Sequence, residues 1–185
     1  KPTQLGLFEH FKAIADSCQE LPMYLYNIPG RSVVKISSEI IKKLSKIKNI
    51  LGVKDATADL TTPLEVREIC GKDFQQLSGE DATFLAFLVN GGEGCISVTA
   101  NIIPRICSQI YELWKSRKIN EAMELNFKIY GLNTVLFSET SPGPIKYALS
   151  KIKKCENTLR LPLVNVSKTT EKNIDIVLKE LGLIK

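Results

Sequence analysis

The chain has 185 residues, 44% of them apolar and 24% charged, with a net charge of +5. Those proportions exclude a disordered chain, and no apolar run approaches the 18 residues of a membrane-spanning helix. Twenty lysines stand against five arginines, without the arginine forks and basic–aromatic interleaving of nucleic-acid readers. The densest basic group, Lys42, Lys43, Lys46 and Lys48, interleaves with Ile40, Ile41, Leu44 and Ile47. That pattern reads as the solvated face of an amphipathic helix. The opening KPTQLGLFEHF contains no long apolar segment of a secretory signal. Lys1, not methionine, stands first, so the reading expects further chain ahead of it. Cys18, Cys70, Cys95, Cys107 and Cys155 are odd in number and scattered, and His10 is the one histidine. This argues against a zinc site and for reduced thiols in a cytoplasmic protein.

In chain order, Leu7, Phe11, Ile14 and Cys18 fall at helical spacing, predicting a helix over 4–19. MYLYNI, 23–28, reads as a strand stopped by Pro29-Gly30. Ser37 and Ser38 are placed to cap a helix whose face is Ile40, Leu44 and Ile47. ILGV, 50–53, reads as a buried strand ending in Lys54-Asp55, and a helix follows over about 60–70. A strand near 73–78 ends in Ser78-Gly79-Glu80-Asp81, 82–90 is an apolar helix, and CISVT, 95–99, is a fourth strand. From there the alternation stops. Helices are expected to about 117, over 119–130, over 142–153 and around 174–181.

Strand and helix thus alternate at intervals of 20 to 28 residues, which implies parallel strands with helical crossovers. Four such units make either a small open sheet or half of an eight-stranded (β/α)8 barrel. Polar or small groups stand at every strand's C-terminal end: Tyr26-Asn27, Lys54-Asp55, Gly79-Glu80-Asp81 and Ser97-Val98-Thr99. Barrels place their chemistry there. No glycine-rich phosphate loop is present to favour a nucleotide-binding sheet. The expected organisation is 1–100 as the barrel half and 101–185 as the last barrel helix with a C-terminal helical region.

Lys54 is the most informative residue. Apolar neighbours place its backbone in the sheet, and desolvation of its ammonium would lower its pKa. A neutral lysine is a nucleophile that forms a Schiff base with a carbonyl compound. A strand-end lysine also snorkels to solvent or pairs with a neighbour such as Asp55. Tyr26 ends the preceding strand, within reach of Lys54 as a proton relay, or serves as a tyrosine with one wet end. Arg31, after the Pro-Gly turn, is suited to hold a carboxylate in a bidentate grip, though exposed loop arginines are common.

YNIPGRS (26–32), LGVKDAT (51–57), LSGEDATFLAFLVNGGEGCISVTAN (77–101) and KPTQLGLFEHFKAIA (1–15) together resemble the dihydrodipicolinate synthases. The resemblance runs over essentially the whole chain. It implies a homotetrameric (β/α)8 barrel with a C-terminal helical region. It also implies condensation of pyruvate with aspartate semialdehyde for lysine and diaminopimelate biosynthesis, with no cofactor, metal or nucleic acid. By the same resemblance Lys54 is the Schiff-base lysine and Tyr26 the relay tyrosine. Arg31 would receive the semialdehyde carboxylate, Ile96 would line the pyruvate site, and Gly79 and Asp81 would line the pocket. The family has further β/α units ahead of the position of Lys1. They carry a G-T-T-G-E-type loop that contributes to the site and have no counterpart here, so the chain reads as the second half of a barrel. An N-acetylneuraminate or keto-sugar aldolase is the alternative within the superfamily. A non-catalytic remnant or interaction module is the alternative outside it.

Overall fold

The computed structural model describes all residues, Lys1 to Lys185, which form two compact units, Lys1–Ile96 and Ser97–Lys185. The first begins with α1 (Gln4–Ser17), whose first turn is capped by Thr3 Oγ1 accepting from Gly6 N–H at 3.1 Å. It continues through β1 (Met23–Asn27), the single turn α2 (Pro29–Ser32), α3 (Ser38–Leu44) and β2 (Ile50–Asp55). Then come α4 (Thr62–Cys70), β3 (Gln75–Ser78), α5 (Phe84–Val89) and β4 (Gly94–Cys95). The strands form one parallel sheet in the order β1-β2-β3-β4. Strand–helix alternation produces this arrangement because parallel neighbours need a crossover.

Period-two alternation divides the strands between two faces. Leu25, Asn27, Val53, Gln76 and Ser78 are buried on the face covered by helices. There Leu25 and Val53 join Leu7, Ile40, Ile41, Leu44, Val66 and Phe74 in one apolar cluster. Of the expected α3 face, Ile40 and Leu44 are buried together with Ile41, while Ile47 lies past the end of the helix and packs half-buried against the same cluster; Lys42, Lys43, Lys46 and Lys48 are exposed. Ser37 Oγ caps this helix at Ile40 N–H, 3.4 Å, and the lysines of its last turn complement the helix dipole. Tyr24, Tyr26 and Gln75 occupy the other face, and all three are exposed.

The fourth strand is shorter than the expected 95–99. Only Gly94 and Cys95 pair with β3, opposite Leu77 and Ser78. Ile96 adds one further bond, its N–H donating to Ser78 C=O at 2.8 Å. Beyond it Thr99–Asn101 coil into a 3-10 turn. The β3–β4 ladder ends there.

The second unit is helical after that turn. It contains α6 (Pro104–Lys115), α7 (Ile119–Lys128), α8 (Tyr130–Val135), α9 (Gly143–Lys151) and α10 (Lys168–Glu180). The stretch expected as one helix over 119–130 ends at Ile129, where a separate helix α8 starts. Ile129 is buried and its backbone departs from helical values (φ −98°, ψ 1°). Thr99 Oγ1 donates to Asn133 Oδ1 at 2.7 Å inside this unit, satisfying two buried polar groups. No helix is long and apolar enough to cross a membrane.

Candidate active site at the strand ends

A register irregularity between Met23 and Tyr24 sets Tyr24 opposite Gly52, and Tyr26 therefore opposite Lys54. Both members of each pair lie on the uncovered face. The Tyr24 hydroxyl donates to Gln75 Oε1, crossing β2 above Gly52. A Cβ on Gly52 would come within 2.8 Å of Tyr24 Cε1, so this crossing needs glycine beneath it.

At the C-terminal end of the same face, Lys54 Nζ lies over the Tyr26 ring, 4.0 Å from its centroid. The ring face carries the negative end of the aromatic quadrupole, which attracts an ammonium. The register thus brings the amine against Tyr26 through its ring face. Tyr26 is 44% exposed and Lys54 half-buried, so the sheet and helices of this unit leave the pair open to solvent.

Gly79 completes the floor beside Lys54. Its N–H donates to Asp55 C=O at 2.6 Å, extending the ladder by one residue. A Cβ at this position would lie 2.9 Å from Lys54 Cε and 2.8 Å from Ala56 Cβ. The lysine side chain therefore passes through space that only a glycine leaves clear.

The remaining candidates are more dispersed. Ile96 is 48% exposed at the end of β4, tied to β3 through Ser78. Arg31 is exposed on α2, one turn beyond the end of β1. Asp81 is buried ahead of α5, where its carbonyl accepts from Phe84 N–H at 3.3 Å. Lys54, Tyr26 and Gly79 are thus the expected residues in direct proximity.

On the helix-covered side, Asp55 sits behind Lys54 and is 5% exposed. Its Oδ1 accepts from Thr57 N–H at 2.7 Å, while Oδ2 is buried without a partner. Burial pushes the Asp55 carboxyl up from its ordinary value, and the Thr57 hydrogen bonds and the Lys35 charge pull it down. Asp59, on the surface nearby, behaves oppositely. Thr61, donating from Oγ1 at 2.6 Å and N–H at 3.0 Å, with Lys35 at 3.3 Å, holds it at about 2. No three His, Cys, Asp or Glu side chains converge closely enough to hold a metal ion.

Two features lie outside the expected site residues: the Tyr24–Gln75 crossing and the buried side chain of Asn27. Tyr-x-Tyr with buried Leu25 and Asn27 between and after is a period-two signal that points to Tyr24. Nothing local points to Gln75.

This sheet, with a lysine amine at one strand's C-terminal end and a tyrosine on the next, places the chain among (β/α)-barrel proteins. The model of the dihydrodipicolinate synthetase family matches residues 1–181, and the chain belongs to that family. It is 50% identical over 185 residues to a 4-hydroxy-tetrahydrodipicolinate synthase of Chelativorans sp. and 48% identical over 184 residues to that of Rhodospirillum centenum. Each alignment takes in 100% of this chain and 63% of the relative. Among solved structures, the dihydrodipicolinate synthase of Thermotoga maritima superposes with a TM-score of 0.95 at 35% identity, covering 100% of this chain and 63% of that one. The corresponding enzyme of Methylacidiphilum fumariolicum superposes at 0.96 with 37% identity, covering 98% and 61%. The chain thus spans about 62% of the length of the relatives it matches.

Proposed function

We infer that the protein condenses pyruvate with aspartate semialdehyde through a Schiff base on Lys54, as part of a dihydrodipicolinate synthase. The observation that carries this reading is the Lys54 amine at the C-terminal end of β2, against Tyr26 and over Gly79. A lysine placed so attacks the pyruvate carbonyl, and water leaves as the imine forms. The protonated imine withdraws electrons from the adjacent methyl carbon, which loses a proton and becomes the carbon nucleophile for the semialdehyde. Tyr26, on the neighbouring strand, moves protons to and from the reacting groups. Arg31 holds the carboxylate of the second substrate, and Ile96, Gly79 and Asp81 shape the pyruvate pocket.

A barrel closes with eight strands, and this sheet has four. The reading therefore includes further strands that cover the open face and desolvate Lys54. The proposal includes homotetrameric assembly, which the family resemblance supports. Its cytoplasmic location fits five cysteines that are all free thiols.

The test is turnover by the full-length protein. Pyruvate should be consumed in the presence of aspartate semialdehyde and not in its absence. Cleavage of N-acetylneuraminate without condensation would assign the site to an aldolase. Failure of both reactions with a folded protein would contradict catalysis.

A further inference from the structure

The segment joining β1 to α3 carries Arg31, and its far end is fixed by two amide side chains. Asn27, the last residue of β1, is fully buried on the side opposite Tyr26. Its Oδ1 accepts from Ile36 N–H at 3.0 Å, and its Nδ2 donates to Ile36 C=O at 3.3 Å. One side chain thereby satisfies both main-chain polar groups of a buried residue nine positions on. Gln4 repeats the arrangement around it, donating to Lys35 C=O at 2.9 Å and accepting from Ser37 N–H at 3.0 Å.

Between these anchors the chain makes a tight exposed turn. Val33 N–H donates to Pro29 C=O at 2.9 Å, and Ser32 Oγ lies 2.9 Å from Ile28 C=O and 3.0 Å from Val34 C=O, with one proton to donate to either. Val33 has φ 68°, where a β-branched side chain is crowded against its own backbone, and it is 64% exposed. No burial of the valine offsets that crowding. Strained backbone persists where its surroundings over-determine it, and it concentrates at ligand-holding turns.

We propose that Asn27 is a positioning residue: its clamp on Ile36 holds the strained 29–33 turn so that Arg31 stays at the strand end and meets the carboxylate of the aldehyde substrate. This rests on the role given to Arg31 above. Asn27 touches no reacting atom and acts through Arg31 alone, so it serves the second half-reaction and leaves the first untouched.

The experiment uses Asn27→Ala in the full-length protein, with the milder Asn27→Asp, which keeps the acceptor for Ile36 N–H and loses the donor, if the alanine variant folds poorly. The apparent KM for aspartate semialdehyde should rise by about 10- to 100-fold, as for a misplaced binding group, with kcat nearly unchanged. Borohydride trapping of pyruvate on Lys54 should keep its rate. Combining the change with Arg31→Ala should add nothing to the loss from Arg31→Ala alone, because the two act as one unit. Additive losses, or equal losses of trapping and condensation, would overturn the proposal. Trypsin cleavage after Arg31 tests the clamp without any catalysis. Asn27→Ala should speed it by roughly tenfold or more through local opening, with other sites unchanged. Unaltered cleavage at Arg31 overturns the clamp even where the synthase reading stands. Accelerated cleavage in a protein that traps no pyruvate upholds the clamp while the synthase reading falls.

Discussion

The two faces of the four-stranded sheet are made from the same strands and do different work. On the helix-covered face, Leu25 and Val53 are at most 1% exposed within one apolar cluster, and the polar members are tied into loops. On the uncovered face, Tyr24, Tyr26, Lys54 and Gln75 make polar and cation–π contacts with one another across the strands. Residues one apart in sequence therefore answer to different demands. Leu25 and Asn27 hold the fold and its loop, and Tyr26 between them lies on the face that carries Lys54. Burial alternates residue by residue along a strand, and the function proposed for the uncovered face therefore predicts that stability and activity separate by single-residue steps.

Substitutions sharpen that separation. Tyr26→Phe should lower condensation by about 10²- to 10⁴-fold, the range of a lost proton-transfer group, and leave the melting temperature unchanged. Steady-state kinetics beside thermal unfolding reads both. Equal loss of stability would break the division between faces. Its neighbour gives the converse: Leu25→Ala removes a fully buried side chain and should cost about 2–5 kcal/mol in denaturant unfolding. The fraction that remains folded should still trap pyruvate. Gly79→Ala crosses the division, since its methyl group would press on Lys54 Cε. Trapping on Lys54 should slow by roughly tenfold through that displacement, with a smaller change in stability.

Asp55→Asn gives the smallest effect and depends on pH. The folded-state pKa of Asp55 lies above the unfolded value because burial disfavours the charge. The ionised carboxylate therefore costs stability at neutral pH, and the cost disappears as pH falls below the carboxylate range. Asparagine retains an acceptor for Thr57 N–H and carries no charge. The variant should melt above the parent at pH 7, with the difference closing at low pH. A difference that widens on acidification would contradict the assigned cause.

Much of this was legible from sequence, for identifiable reasons. β1 and β2 are short apolar runs between breakers, and α3 has a serine cap with a clean isoleucine–leucine stripe; each signal is local. The family and the (β/α) architecture followed from motifs at strand ends, where close-packed backbone and polar groups restrict the residues allowed. The lapses lie where partners decide. β4 stops at Cys95, where its pairing with Ser78 ends, a limit that the pattern of CISVT does not mark. The helix break falls at Ile129, a buried isoleucine that helical spacing does not mark as a boundary. Lys54 lies over the Tyr26 ring face, a choice of side-chain rotamer that register alone does not determine. The Asn27–Ile36 clamp joins residues nine apart through an irregular turn, and periodicity carries no signal for it.

Everything proposed for the uncovered face depends on the Lys54 amine as the nucleophile. The direct measurement is incubation of the full-length protein with pyruvate and borohydride, followed by digestion and mass spectrometry. The account predicts one reduced three-carbon adduct, on the peptide that contains Lys54, and none in Lys54→Met. No adduct in the folded protein, or an adduct carried by another of the twenty lysines, would contradict it.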